Sequence, residues 1–192
     1  MQQSKRSRDR QNELIEAALS VIGRAGSLDV SVSQIAGQAG VSSALAHHYF
    51  GSKEDLLFAT QRHLLTLFRQ DVVARLAAAP TPRARLSAIV EASFSPLQFN
   101  AGTVAAWTIF YLRAQSSRAN SRLLQVYVAR LRANLVHELR SLISETKIEA
   151  AAESIGAMID GLYLRQGLRK GAADREAAIR ITEHLIDTLV RS

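Results

Sequence analysis

Three consecutive residues, His47, His48 and Tyr49, carry hydrogen-bonding groups on a short stretch bracketed by Gly40 and Gly51. Hydroxyl and imidazole groups can donate to phosphate oxygens, and a ring face can pack on a thymine methyl or a sugar. Ser43 and Ala44 precede this trio, Ser31 and Ser33 lie one segment upstream, and Lys53 follows. Contact with DNA is one reading of the set. Plain surface histidines and a metal site are the others, although adjacent helical residues point about 100° apart and seldom share one ion. A second set lies further on. Trp107, Phe110 and Tyr111 stand at i, i+3 and i+4, and Asp160 and Tyr163 come from another segment. A quaternary ammonium cannot donate a conventional hydrogen bond, so ring faces hold it best, at roughly 0.5–2 kcal/mol each. A carboxylate nearby would complement its charge. The same spacing also describes an ordinary buried stripe, and Asp160 could equally make a helix-end or interface hydrogen bond.

Other chemistries lack their residues. The chain has no cysteine, so disulfides and thiolate nucleophiles are excluded. It carries no glycine-rich phosphate loop and no HExxH pattern, while His137, Glu138 and His184 are isolated on amphipathic stretches. An enzyme is therefore not expected, and neither a cofactor nor a metal is implied. No run of eighteen apolar residues could span a membrane. The polar start MQQSKRSRDR has no apolar stretch behind it, so it does not read as a signal peptide. A cytoplasmic location is the expectation.

A length of 192 residues, 47% of them hydrophobic, allows one or two small domains with a real core. The formal charge of +7 suits nucleic acid or an anionic surface. Its distribution argues less strongly. Residues 1–62 hold seven Lys or Arg against six Asp or Glu, and the remainder holds seventeen against eleven. The best local signal is the N-terminal arm, where Lys5, Arg6, Arg8 and Arg10 face only Asp9.

Stepping along the chain, the apolar period is helical almost throughout. Leu14, Ile15, Ala18, Leu19 and Ile22 form one stripe, with Gly26 as a C-terminal cap. Ser31 and Gln34 have capping-box spacing, Ser42 can cap the next helix to about Phe50, and Ser52 with Asp55 opens a long helix to about 76. Two prolines in AAAPTPRAR end it. Helices are expected at 83–95, 101–115, 121–144, 149–169 and 175–191, the 121–144 helix with a stripe of Leu124, Val128, Leu131, Leu135, Leu139 and Leu142, and with no strand and no repeat. Residues 31–50 then form a helix-turn-helix, whose turn lifts the second helix clear so that it fits a major groove about 12 Å wide. Ile35, Ala36, Ala39, Val41, Ala46 and Phe50 supply its buried side.

The run SVSQIAGQAGVSSALAHHYFGSKEDL resembles the DNA-binding half of the TetR family of one-component bacterial repressors. The matching features are Ile35-Ala36, Ala39-Gly40-Val41-Ser42, His48-Tyr49-Phe50 and Lys53. The resemblance implies DNA contacts for Ser31, Ser33, Ser43, Ala44, His47, His48, Tyr49 and Lys53. It also implies an all-α fold of about nine helices. Residues 1–52 would be the three-helix DNA-binding domain, and residues 53–192 a helical domain for effector binding and dimerisation. There are departures. The family usually has glycine at Ala44, often has an aromatic at His47, and in many members is basic at Gly37-Gln38. Fewer charges there imply a gentler salt dependence.

The similarity continues through GSLDV (26–30), AAWTIFYLRAQ (105–115), NLVHELR (134–140) and AMIDGLYLRQGL (157–168). These runs resemble family members that respond to choline and repress glycine-betaine synthesis. The resemblance implies a double-stranded operator and a small-molecule effector, choline or a related quaternary ammonium, held by Trp107, Phe110, Tyr111, Asp160 and Tyr163. An acyl compound or a drug is the alternative effector. It also implies a homodimer through the last two helices. There the candidate stripes are Ile148, Ala151, Ala152, Ile155, Met158, Ile159 and Leu162, with Ala178, Ile181, Leu185, Ile186 and Leu189. An intrachain core is the other reading of those stripes.

Overall fold

The computed structural model describes residues 2–26, 29–168 and 173–191, and side chains from Arg6 onward within them except that of Gly167. The side chain of Lys5 in the basic arm, and Ser27 and Leu28 of the GSLDV run, therefore fall outside what is described. The described residues form nine helices and no strand: α1 (Gln2–Ala25), α2 (Val32–Gln38), α3 (Ser43–Phe50), α4 (Lys53–Ala78), α5 (Pro82–Ser93), α6 (Ala101–Ser116), α7 (Arg118–Leu139), α8 (Glu145–Gly167) and α9 (Arg175–Arg191).

Local chemistry sets the boundaries near the N-terminus. The Ser31 hydroxyl accepts from the Gln34 N–H at 3.1 Å, and the Gln34 side chain accepts from the Ser31 N–H at 2.7 Å, completing a capping box. Ser42 accepts from the Leu45 N–H, and Ser52 from the Asp55 N–H. At Ser52 the return bond runs differently, from its hydroxyl to the Asp55 carboxylate at 2.6 Å. Gly40 and Gly51 adopt φ of +67° and +74° between these helices, a region that L side chains seldom enter.

Two boundaries differ from the periodicity. α7 stops at Leu139 rather than near 144, and α8 begins at Glu145 rather than 149. Leu142 continues the apolar period, but residues 140–144 turn so that α8 folds back along α7. Val128 also leaves the expected stripe of α7. It is 44% exposed, while Tyr127 beside it is 6% exposed. Tyr127, Leu131, Leu135 and Leu139 recur every fourth residue and form the inward ridge.

The apolar side chains gather in two cores. One joins Leu14, Ala18 and Ile22 of α1 to Ile35 and Ala36 of α2, Ala46 of α3, and Leu56 and Leu57 of α4. The other gathers α5 to α9 around Leu86, Phe94, Phe110, Leu135, Ile155 and Ile186. Two elements serve both. α4 sends Leu65, Phe68 and Leu76 to the second core. α6 sends Ala105 and Ile109 back to the first. Gly23 of α1 and Gly102 of α6 make that crossing possible, because a Cβ on Gly23 would overlap the Gly102 Cα.

Candidate nucleic-acid interface and effector site

On the helix-turn-helix, Ile35, Ala36 and Ala46 are buried, and Ala39, Val41 and Phe50 pack partly against them. The opposite side carries the eight residues singled out from the sequence. Ser31, Ser33, Ala44, His47 and His48 are exposed, and Ser43, Tyr49 and Lys53 are half-buried. The Ser43 hydroxyl donates to the Ser33 hydroxyl at 3.0 Å, which ties the start of α3 to α2. His47 is tied to its own helix end: Nδ1 lies 2.9 Å from the Gly51 carbonyl. A carbonyl only accepts, so Nδ1 carries the proton and Nε2 is the atom presented outward. The His48 and Tyr49 rings meet edge to face at 5.6 Å. Among the described residues no group of three His, Cys, Asp or Glu could hold a metal.

The second set also comes together. Trp107, Phe110 and Tyr163 are buried, at 4%, 2% and 5% exposure, while Tyr111 and Asp160 are half-buried. Trp107 lies 5.5 Å from Phe110, 6.1 Å from Tyr111 and 6.0 Å from Tyr163, centroid to centroid. Asp160 of α8 is the focus of polar contacts. Its Oδ1 accepts from the Tyr111 hydroxyl at 2.8 Å and from the Tyr127 hydroxyl at 3.1 Å.

Burial raises the Asp160 pKa above the usual carboxylate value, the two tyrosine bonds oppose that shift, and Glu153 adds to it. No basic side chain pairs with Asp160 among the described residues. Burial, and then the Asp160 charge, hold the Tyr111, Tyr127 and Tyr163 hydroxyls far above their usual pKa, so they remain donors. The arrangement is a carboxylate in aromatic surroundings whose charge no cation among the described residues neutralises.

Sequence reasoning missed three contributors. Tyr127 packs on Trp107 at 5.0 Å and shares Asp160, yet the α7 stripe drawn through Val128 passes it by. Phe68 of α4 reaches Tyr127 at 5.9 Å. Gln98, 1% exposed in the turn before α6, accepts the Trp107 indole N–H at 3.3 Å. A stripe read in steps of four from Leu139 would have found Tyr127. Nothing local marks Gln98.

A cavity of about 430 Å³ opens beside this cluster, between α4 and α7. Tyr127 lines it, but Trp107, Phe110, Tyr111, Asp160 and Tyr163 do not.

The apolar stripes of α8 and α9 are largely turned inward. Ile148, Ala151, Ala152, Ile155 and Ile159, with Ala178 and Ile186, lie in the chain's own second core. For these seven residues the intrachain-core reading holds, because α8 packs on α6, α7 and α9 through that face. Met158, Leu162, Leu185 and Leu189 are only partly covered, Ile181 is 45% exposed and Leu164 is 40% exposed. A Cβ placed on Gly156 or Gly161 would meet nothing within 4 Å.

Comparison with known proteins covers nearly the whole chain. Residues 14–60 match the family described as bacterial regulatory proteins, tetR family. Residues 82–191 match the family described as BetI-type transcriptional repressor, C-terminal. The HTH-type transcriptional regulator BetI of Brucella anthropi is 50% identical over 177 residues, 92% of this chain and 91% of that protein. BetI of Rhizobium meliloti is 50% identical over 183 residues, 95% and 90% of the two chains. Among solved structures, a transcriptional regulator of Pseudomonas aeruginosa PAO1 is 31% identical with a TM-score of 0.72, covering 96% of this chain and 92% of that one. One from Saccharomonospora viridis, solved in complex with choline, is 22% identical with a TM-score of 0.82, covering 93% and 96%.

Proposed function

The chain belongs to the TetR family of transcriptional regulators, with a BetI-type C-terminal domain, and from that premise we propose that it represses a palindromic operator as a homodimer and responds to choline or a related quaternary ammonium. The observation that carries the effector reading is the half-buried Asp160 carboxylate, set among Trp107, Tyr111 and Tyr127 with no basic partner among the described residues. An ammonium cation supplies the missing charge, and its methyl groups suit the ring faces. The neighbour from Saccharomonospora viridis was solved with choline, which agrees with that chemistry.

The operator contacts in this reading are Ser31, Ser33, Ser43, Ala44, His47, His48, Tyr49 and Lys53. Serine hydroxyls and Lys53 position the chain on phosphates, while α3 enters the major groove. One helix reads too few bases, so two copies about 34 Å apart combine their binding energy on a palindrome. We divide the chain at 52/53, with the first three helices as the operator-binding unit.

Coupling follows from α6. The rings at Trp107, Phe110 and Tyr111 and the crossing at Gly102 lie on the same helix. A cation that parts Tyr111 and Tyr127 from Asp160 must move α6 or α7, and α6 bears directly on α1. α4 provides the second route, and the reading has it pivot. Release of the operator requires the ligand to bind the non-fitting state more tightly, by about 1–3 kcal/mol for a coupling of this kind. Among the described residues no helix is long and apolar enough to cross a membrane; the reading places the protein in the cytoplasm.

The test is a titration of the purified protein with choline, betaine aldehyde and betaine, followed by thermal shift and by operator gel shift. Choline is expected to raise the melting temperature and change operator affinity, and Trp107→Ala should remove both effects. Absence of any choline response in the parent protein rejects the effector reading. Absence of a discrete footprint on its own promoter region rejects the operator reading.

A further inference from the structure

We propose that the cavity between α4 and α7 is a second small-molecule site, distinct from the Asp160 cluster, and that it takes an amphiphilic anion: a carboxylate on an alkyl chain. Its interior is apolar, formed by Phe68, Val72, Ile89 and Leu131. Its cations are Arg62 and Arg69 on α4 and Arg130 on α7. No Asp or Glu lines it.

None of these three arginines makes an ion pair with a described carboxylate, although eight other arginines of the chain do. Two valines at the cavity, Val73 and Val126, are 56% and 45% exposed. A cation such as choline is repelled by that set of charges. A hydrated inorganic anion gains nothing from the apolar walls. An alkyl carboxylate satisfies both parts, because guanidinium groups grip a carboxylate in a fork and the chain buries against Phe68 and Leu131. At about 430 Å³ the space lies within the range of sites for small organic ligands.

This site stands independently of the quaternary-ammonium reading, since it shares only the Tyr127 and Phe68 rings with that cluster and none of Trp107, Tyr111 or Asp160. The Tyr127 ring also supplies a readout. Trp107 is the only tryptophan in the chain and packs on Tyr127 at 5.0 Å.

The test uses decanoate below its micelle concentration, added to the full-length protein without choline and followed by calorimetry and by Trp107 fluorescence. Saturable binding is expected, with decyltrimethylammonium of equal chain length binding at least about ten-fold more weakly. Arg69→Gln with Arg130→Gln should weaken decanoate about ten-fold or more and leave the melting temperature of the ligand-free protein unchanged. The proposal is overturned if decanoate does not bind, if the cationic detergent binds equally well, or if the double variant retains parental affinity. Loss of the choline response alone would reject the reading of Asp160 and leave this one standing.

Discussion

Asp160 concentrates the residue-scale physics. Burial penalises its charged form more than two tyrosine hydroxyls offset, so its folded pKa stands above the unfolded value. The folded chain therefore binds this proton more readily than the unfolded chain does. The stability owed to that difference is present at acid pH and is lost as pH rises through the raised pKa. Asp160→Asn removes the penalty and keeps an oxygen for Tyr111 and Tyr127. We expect the variant to melt at or above the parental temperature at neutral pH while losing the choline-induced shift. In the parent protein choline affinity should fall as pH is lowered through the raised Asp160 pKa, and the ligand, having no titrating group there, cannot cause the change. Calorimetry across that pH series checks the sign. Affinity that rises toward acid pH would contradict a carboxylate–ammonium contact.

At the scale of elements, α6 is the connection that its own sequence hides. α4 carries side chains into both cores. The crossing of α1 and α6 adds a contact so tight that two glycines must face each other. A methyl at Gly23 meets backbone rather than a movable side chain, so α1 and α6 have to separate. Gly23→Ala should cost about 1–3 kcal/mol, the usual range for overpacking. It should also reduce the effect of choline on operator affinity more than it reduces choline affinity. Denaturant unfolding and paired binding titrations separate those outcomes. An unchanged response would show that α4 alone carries the signal. Gly102→Ala is the milder companion, since its Cβ would meet the Leu19 carbonyl at 3.3 Å.

For the whole molecule, the question is what covers the outer side of α8 and α9. The inward faces are used by the chain itself, which leaves Ile181, Leu164 and the open positions at Gly156 and Gly161 for the second copy of the proposed dimer. Small residues at such positions let helices approach closely, as a four-helix interface across a two-fold axis requires. Ile181→Glu places a charge on that face without touching either core. Sedimentation should then show monomers at concentrations where the parent is dimeric. Operator affinity should fall by orders of magnitude, because each half-site must be bound without help from the other. A variant that stays dimeric would move the interface elsewhere.

Much of the fold was legible from local signals. The caps at Ser31, Ser42 and Ser52, the left-handed glycines and the apolar period depend on neighbours within a few residues, so the helix-turn-helix and its exposed polar face follow from sequence alone. The boundary between α7 and α8 did not, because Leu142 keeps the period through a turn that only packing requires. The aromatic set was half visible. Trp107, Phe110 and Tyr111 share one helical face, but Tyr127 and Gln98 join Trp107 from up to 20 residues away and Phe68 from nearly 40. Which face of α8 meets the chain's own core and which remains outside was likewise undecided, since an apolar stripe states that it will be buried and not by what. Tertiary packing alone made that choice, and the same packing set three arginines, none paired with a described carboxylate, around one apolar hollow.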